Sequence, residues 1–483
     1  MKFLRILCVL ALALCVTASV YAETQSVKVS GDLTMRGIYR NDYSMVSSVN
    51  EGATIDGTDK SWAMTVAAVQ VDADLTDNVT TVIRLLNQRD WNVAHSATTT
   101  SPLNPTETAN GDEFDVMVDL AYVQLKNFIY SPLTVTIGRQ NLWFGRGFIV
   151  GANQQNPGNV GGTTDSTFVA GNLSAPEYTA INSFDAVKAV LDFDPWTITG
   201  IYSVIDNGSV SVRDNTDLWG VNVGYKFNKM NGEAEGYWFY KTDRGTIPLT
   251  DLKGNSNDVY TVGLRGSFDP ISWITLAGEG AWQGGQYLES SLQSNSRTRS
   301  AFAMDFSGEI RYFTDKFAWK PKLGLEYIYY SGNVNDGDPT QAGGVYHGWD
   351  SMYRGKYDSA IREFVGKFYA TNRYPVRNNY TQATADDSRT NQNQVIFLGS
   401  IQPMESLTVK GNYNLFWNIE GYDAGVKKSQ GFVGQEVDIQ ANWDYTEDVS
   451  FNLLAGWFMP GEVYYDQGKA VATDLVGSVK VSF

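Results

Sequence analysis

The sequence predicts an all-β protein, a transmembrane antiparallel up-and-down β-barrel of about eighteen strands. Three observations predict it. Segments of about ten residues alternate between apolar and polar side chains along the chain. No stretch after residue 22 carries the long uncharged apolar run of a membrane helix. The stretch ending at Phe483 places Val471, Leu475, Val479, Val481 and Phe483 on one face and Asp474, Ser478, Lys480 and Ser482 on the other. One face suits lipid and the other water, with an aromatic residue at the interface.

Residues 1–22 read as a signal peptide. Lys2 and Arg5 form a basic start, Ile6 to Val16 an apolar core too short to span a bilayer, and Val20-Tyr21-Ala22 a small-residue cleavage site. Cys15 as a lipidation site is disfavoured by Leu14 before it. Residues 23–483 are then the barrel, and both cysteines, Cys8 and Cys15, leave with the signal. Disulfides and thiolate metal sites are excluded for the mature chain. The net charge of −16 disfavours nucleic acid, which needs a basic excess. A mean hydropathy of −0.26 with 13% aromatic residues suits a wet lumen between two aromatic girdles. A secreted β-sandwich or solenoid is the alternative that composition leaves.

Alternating segments run over about 25–40, 61–74, 78–88, 115–128, 132–140, 183–194, 196–205, 215–228, 233–243, 257–269, 272–286, 300–313, 318–331, 392–402, 406–419, 431–445, 448–459 and 470–483. Every second junction is short and rich in turn formers, among them Thr76-Asp77-Asn78, Tyr130-Ser131-Pro132, Asp194-Pro195, Thr314-Asp315-Lys316 and Thr446-Glu447-Asp448. In this fold the short set faces the periplasm and the long set the outside. Two long loops, near 141–182 and 332–391, are long enough to be functional. Only Tyr357 to Phe368 has helical spacing.

A basic side chain facing lipid costs about 2–4 kcal/mol at midplane, so charged positions are assigned to the lumen. The candidate pore-lining residues are Arg36, Arg84, Arg139, Lys188, Arg265, Arg311, Glu436 and Asp438. Asp32, Lys226, Glu235, Glu279, Asp305, Glu309, Lys322, Glu326, Lys410 and Lys480 share their inward alternation. Both signs occur in similar numbers, which suits a hydrophilic solute or sugar better than strict ion selection. The competing reading is that many of these charges pair across strands and only hold the wall. Eighteen strands leave an aqueous bore, and the two long loops are its natural restrictors. The loop after residue 140 is rich in Gly, Asn and Gln (Gly151-Ala152-Asn153-Gln154-Gln155-Asn156), whose amides suit sugar hydroxyls.

Four motifs occur in order: Ile137-Gly138-Arg139-Gln140, Phe184-Asp185-Ala186-Val187-Lys188, Gly434-Gln435-Glu436-Val437-Asp438 and Phe458-Met459-Pro460-Gly461. They resemble the alginate-export family of outer-membrane barrels over about 25–483. The resemblance implies a bacterial outer-membrane location, an eighteen-stranded monomer and outward passage of a polysaccharide or related solute. It also implies an arginine-rich constriction that attracts uronate carboxylates. Arg139 matches the family's arginine. Lys188 stands where an arginine is usual, which keeps the charge but loses bidentate recognition.

No enzyme is expected. His95 and His347 both fall in outer loops, and the Gly-x-Ser-x-Gly and His-Glu-x-x-His motifs are absent. No cofactor or metal is implied; Asn333-Val334-Asn335-Asp336-Gly337-Asp338 misses the calcium-loop spacing. The partners expected are outer-membrane lipid, a hydrophilic solute or oligosaccharide, and the barrel-assembly machinery through the strand ending at Phe483. The function that follows is a porin-like channel for passive passage of a hydrophilic, candidate anionic saccharide solute. The alternative is a barrel that anchors surface loops or sheathes a partner protein.

Overall fold

The computed structural model describes residues 25–42, 60–91, 116–153, 175–206, 212–213, 215–227, 229–244, 247–248, 256–288, 296–333, 344–363, 390–419, 421–423, 426–428, 431–461 and 470–483. The signal segment, His95 and residues 334–338 lie outside them.

Eighteen antiparallel strands form one sheet that closes on itself. They are β1 (Ser26–Asn41), β2 (Lys60–Thr76), β3 (Val79–Asp90), β4 (Met117–Leu125), β5 (Leu133–Gln140), β6 (Phe184–Asp192), β7 (Trp196–Asp206), β8 (Thr216–Phe227) and β9 (Gly232–Asp243). The second half is β10 (Asn257–Ile271), β11 (Ile274–Leu288), β12 (Ser296–Ile310), β13 (Lys322–Tyr330), β14 (Gln392–Met404), β15 (Leu407–Asn418), β16 (Phe432–Asp444), β17 (Val449–Pro460) and β18 (Ala472–Ser482). Each strand pairs with the next, and β1 closes the ring against β18, with Asp32 opposite Ser482 and Asn41 opposite Thr473. Closure matters because lipid offers no water to an unpaired backbone group.

Alternation sorts the wall into two faces. Val27, Val29, Val69, Val71, Leu264, Phe302, Phe306, Leu453 and Leu475 are exposed on the outer face. Their neighbours one residue away point into the lumen and are largely buried there, as Ile38, Val66, Thr261, Asp305 and Asp474 are. The strand count and alternation expected from the sequence therefore hold. Some boundaries differ: the segment expected over 115–128 pairs only over Met117–Leu125, and that expected over 300–313 runs over Ser296–Ile310. The periplasmic turn expected at Thr314-Asp315-Lys316 extends over 311–321. Pro321 brings no N–H to a ladder, Lys320 adopts φ 44°, and β13 starts only at Lys322.

The seam between the first and last strands is fastened at Gly31. Its N–H donates to the Phe483 carbonyl at 2.8 Å, and the Phe483 N–H returns a bond to its carbonyl at 3.0 Å. The Phe483 ring lies so close that a Cβ on Gly31 would stand 2.6 Å from it. Gly31→Leu is expected to lower the stability of the closed barrel by about 1–3 kcal/mol, the cost of overpacking. Urea unfolding of lipid-reconstituted protein measures it, and adding Phe483→Ala is expected to relieve part of the loss.

Candidate functional site: a lumen plugged by two inward loops

The chain leaves β5 at Gln140 and turns into the barrel. Gly145 and Gly147, at φ 53° and 76°, make the bend that L-residues resist. This inward loop (142–153) meets a second one (344–363) that enters between β13 and β14. Val150 and Tyr353 form a parallel bridge. The Tyr353 carbonyl accepts from Gly151 N–H at 2.7 Å and Ala152 N–H at 3.0 Å, and the Gly147 carbonyl accepts from Gly355 N–H at 2.9 Å. The two loops are thus one body inside the cylinder.

A hydrophobic core holds that body in place. Leu142, Phe148, Ile149 and Val150 of the first loop and Trp349 and Tyr353 of the second pack with Phe184, Ile201, Leu218, Phe239, Ile328 and Tyr330 of the wall. These wall residues sit on the inward alternation, where apolar side chains make no sense against water. Each such side chain gains about 1.5–3 kcal/mol on full burial. The returning half of the first loop packs elsewhere: Ala175, Tyr178 and Ile181 lie against Ile38, Met64, Leu86 and Val476.

Charge fixes the register of the plug. Arg146 reaches Glu326 at 3.0 Å, Asp305 at 3.5 Å and the Ser307 hydroxyl at 2.9 Å. Lys356 contacts the same two carboxylates, at 2.9 Å from Asp305 and closely on Glu326. Burial disfavours the charge on Lys356, yet Asp358, Asp305 and Glu326 around it hold its ammonium well above the ordinary lysine range. Arg354, 1% exposed, bonds Asp358 at 2.8 Å and Glu363 at 2.9 Å, and its guanidinium lies 5.4 Å from the Tyr330 ring centre. Lys241 of β9 grips both oxygens of Asp350 at 2.8 Å. Burial opposes ionisation of Asp350, but Lys241 and Arg299 outweigh it and lower its pKa from 3.8 to about 2. Glu436 of β16 accepts three successive backbone N–H groups, from Ala360 at 2.8 Å, Ile361 at 2.7 Å and Arg362 at 2.8 Å. A carboxylate at the start of a helical turn satisfies donors that would otherwise be buried and unpaired. That turn opens at Arg362–Glu363; the chain from Tyr357 to Ser359 is irregular, and the rest of the helix expected to Phe368 lies outside the described residues.

The sequence-predicted residues separate into groups. Arg36 lies 5.1 Å over the Tyr178 ring. Arg84 bridges Asp32 at 2.6 Å and Asp119 at 3.1 Å. Arg265 pairs with Glu233 and Glu235 at 2.5 Å each. Arg311 pairs with Asp269 at 3.2 Å in the periplasmic turn region. Glu436 and Asp438 both accept from the inward loop, Asp438 from Ala360 N–H at 3.2 Å. Arg139 and Lys188 are not brought together. The register sets Lys188 opposite buried Thr136, whereas Arg139 lies opposite Asp185, with which it pairs at 3.1 Å. Arg139 and Asp185 follow the alternation of the exposed Ile137 and Val187, but the Arg139 side chain is only 14% exposed and its charge also acts on Asp119, the partner of Arg84. His347 sits with Nδ1 2.8 Å from the Ser300 carbonyl. The residues that sequence reasoning missed are Arg146, Arg354 and Lys356. Their only signal was basic residues inside two loops too long to be simple connections.

Two cavities among the described residues border the inward loops. One of about 610 Å³ lies beneath the joined loops, between Arg146, Tyr178 and Tyr357 to Ala360 on one side and Lys322, Ser400, Lys410, Asn412 and Gln440 of the wall on the other. A second of about 370 Å³ lies under Leu142 to Gly145, against Lys188, Thr197, Thr199 and Asn222.

Comparison with known proteins assigns the family. The alginate-export family matches residues 43–478. This chain belongs to the alginate-export family. A comparison with curated proteins finds no match. Among solved structures, OccAB1 of Acinetobacter baumannii is similar at 10% identity and a TM-score of 0.55, over 96% of this chain and 99% of that one. OccAB4 of the same organism matches at 10% identity and 0.52, over 96% and 100%. OccK2 (OpdF) of Pseudomonas aeruginosa, solved in complex with glucuronate, matches at 10% identity and 0.50, over 95% and 99%. These likenesses speak to the fold. The family and the fold together make the protein an outer-membrane channel barrel located in the bacterial outer membrane.

Two predictions follow from the anchors. Glu436→Ala orphans two buried donors, Ile361 and Arg362 N–H, at about 1–3 kcal/mol each, while Ala360 N–H keeps Asp438, so the second loop is expected to undock and single-channel conductance to rise; Glu436→Gln, which keeps an acceptor oxygen, is expected to change it less. For Asp350 the folded pKa is depressed, so its stabilising contribution is complete above 3.8 and disappears as pH falls through about 2. A pH titration of conductance is expected to leave the Lys241–Asp350 anchor intact down to mildly acidic values, and Lys241→Met to remove the anchor at every pH and to let Asp350 protonate at higher pH.

Proposed function

We propose that this barrel passes a hydrophilic solute passively and that the solute is an anionic saccharide. One observation carries this reading: the lumen's basic side chains divide by whether they have a partner. Arg84, Arg146, Arg265, Arg311, Arg354, Lys241 and Lys356 all sit in ion pairs. Lys188, Lys322 and Lys410 make no ion pair among the described residues.

Two of those lysines form a short ladder. Lys322 is opposite Ser400, and Ser400 is opposite Lys410, on three neighbouring strands. Gln440 continues the row beyond Lys410. Two ammonium groups, a hydroxyl and an amide along one wall of the 610 Å³ cavity suit carboxylates and sugar hydroxyls. The chain's net charge of −16 does not cancel this local field. Charges more than a Debye length away, about 8 Å at physiological salt, are screened.

Glucuronate is a suitable probe, since it is the ligand held by OccK2, a barrel of similar fold. Added to reconstituted protein, it is expected to reduce chloride current. The pair Lys322→Gln and Lys410→Gln is expected to weaken that inhibition about 2–30-fold, from ~0.2–1 kcal/mol per exposed charge contact. Unchanged inhibition in the double variant would count against this site.

A further inference from the structure

Trp143 lies in a loop inside the barrel, unlike the exposed tryptophans of the strands. Trp196, Trp219, Trp238, Trp282, Trp443 and Trp457 are exposed on the lipid-facing alternation, where an indole belongs. Trp143 is in the inward loop, lines the 370 Å³ cavity of the lumen, and is nevertheless 55% exposed. About half of the indole surface is thus left uncovered by the plug. The plug's own core is made by Phe148, Val150 and Tyr353 next to it.

The indole is also held rigidly. Its Nε1–H donates to the Gly145 carbonyl at 3.1 Å, so its one polar group is already satisfied. Three glycines crowd it: a Cβ would stand 2.5 Å from the ring at Gly147, 2.9 Å at Gly151 and 2.7 Å at Gly355. No side chain could replace those hydrogens without moving the ring. Backbone from both loops therefore fixes the indole while its remaining surface stays open to the cavity. Across that cavity stand the Lys188 ammonium, the Thr197 and Thr199 hydroxyls, Asn222, whose amide N–H donates to Glu235 at 2.9 Å, and Glu233.

We infer that Trp143 is a stacking platform for a pyranose ring, and that the cavity below it is a saccharide subsite separate from the lysine ladder. A sugar ring has an apolar C–H face and a rim of hydroxyls. A fixed indole whose N–H is already engaged meets the first. The hydroxyls, the amide and the ammonium opposite meet the second. The cavity lies within the range of small-ligand sites, about 300–1,000 Å³. This deepens the saccharide-channel reading and rests on it.

The test combines binding and conduction. Calorimetry on detergent-solubilised full-length protein uses cellotriose as a neutral probe, trigalacturonate as its acidic counterpart and benzoate as an aromatic acid without a pyranose. Trp143→Leu, which stays apolar but cannot stack, is expected to weaken both trisaccharides about tenfold or more. Trp143→Phe is expected to weaken them less. In planar bilayers cellotriose is expected to reduce the wild-type current, and Trp143→Leu to weaken that block in step with the loss of binding. Equal affinity of wild type and Trp143→Leu for the trisaccharides would overturn the inference, as would binding of benzoate alone. Absence of trisaccharide binding in a protein that conducts and prefers anions would remove this subsite and leave the channel. A protein that binds trisaccharide through Trp143 but never conducts would keep the subsite and remove the channel.

Discussion

A wide cylinder in a membrane must be filled or it leaks, and here the filling is fastened by two buried carboxylates. Asp305 and Glu326 sit on neighbouring wall strands and are almost fully buried. Left alone in a low-dielectric interior, either would cost several kcal/mol. Arg146 from one loop and Lys356 from the other satisfy both at once. Neither loop can leave without stranding a charge, so the wall and the two loops form one structure. The parallel bridge at Val150–Tyr353, the apolar core around Phe148 and the cap at Glu436 are arranged about that junction.

This division explains why charge in the lumen does two jobs. Arginine's planar fork suits fixed bidentate geometry, and the lumen arginines are spent on holding the wall and plug. Lysine is a compact charge on a flexible stem, able to follow a moving solute. Lys322 and Lys410 are free to do so beside Ser400 and Gln440. On the proposed reading an acidic protein favours anions locally, since the carboxylates nearest the inward loops already have partners.

Most of the cylinder was legible in the sequence because the barrel is a local pattern repeated eighteen times. Alternation at period two fixed which side of each strand meets lipid, and Lys322, Glu326, Lys410 and Asp438 were assigned inward on that ground alone. The plug was not legible. That Glu436 caps the turn at Ala360 to Arg362 depends on residues more than seventy positions apart meeting across the lumen. The apolar inward positions, such as Phe184, Ile201 and Leu218, carry no label in the sequence that tells a plug floor from a wet wall, and they are the floor on which the loops rest. Arg139 illustrates a different limit. A motif names the residue, but its neighbour Gly138, at φ 121°, and its place at the end of β5 decide what it meets, Asp185 among others.

The central claim is that partnerless lysines beneath a docked plug give an open path that prefers anions. Its most direct test is the reversal potential of single wild-type channels in a planar bilayer across a potassium chloride gradient. The account predicts discrete conductance steps and a reversal potential of the sign that chloride preference produces. A cation-selective channel, or a folded barrel that gives no steps at all, would contradict it.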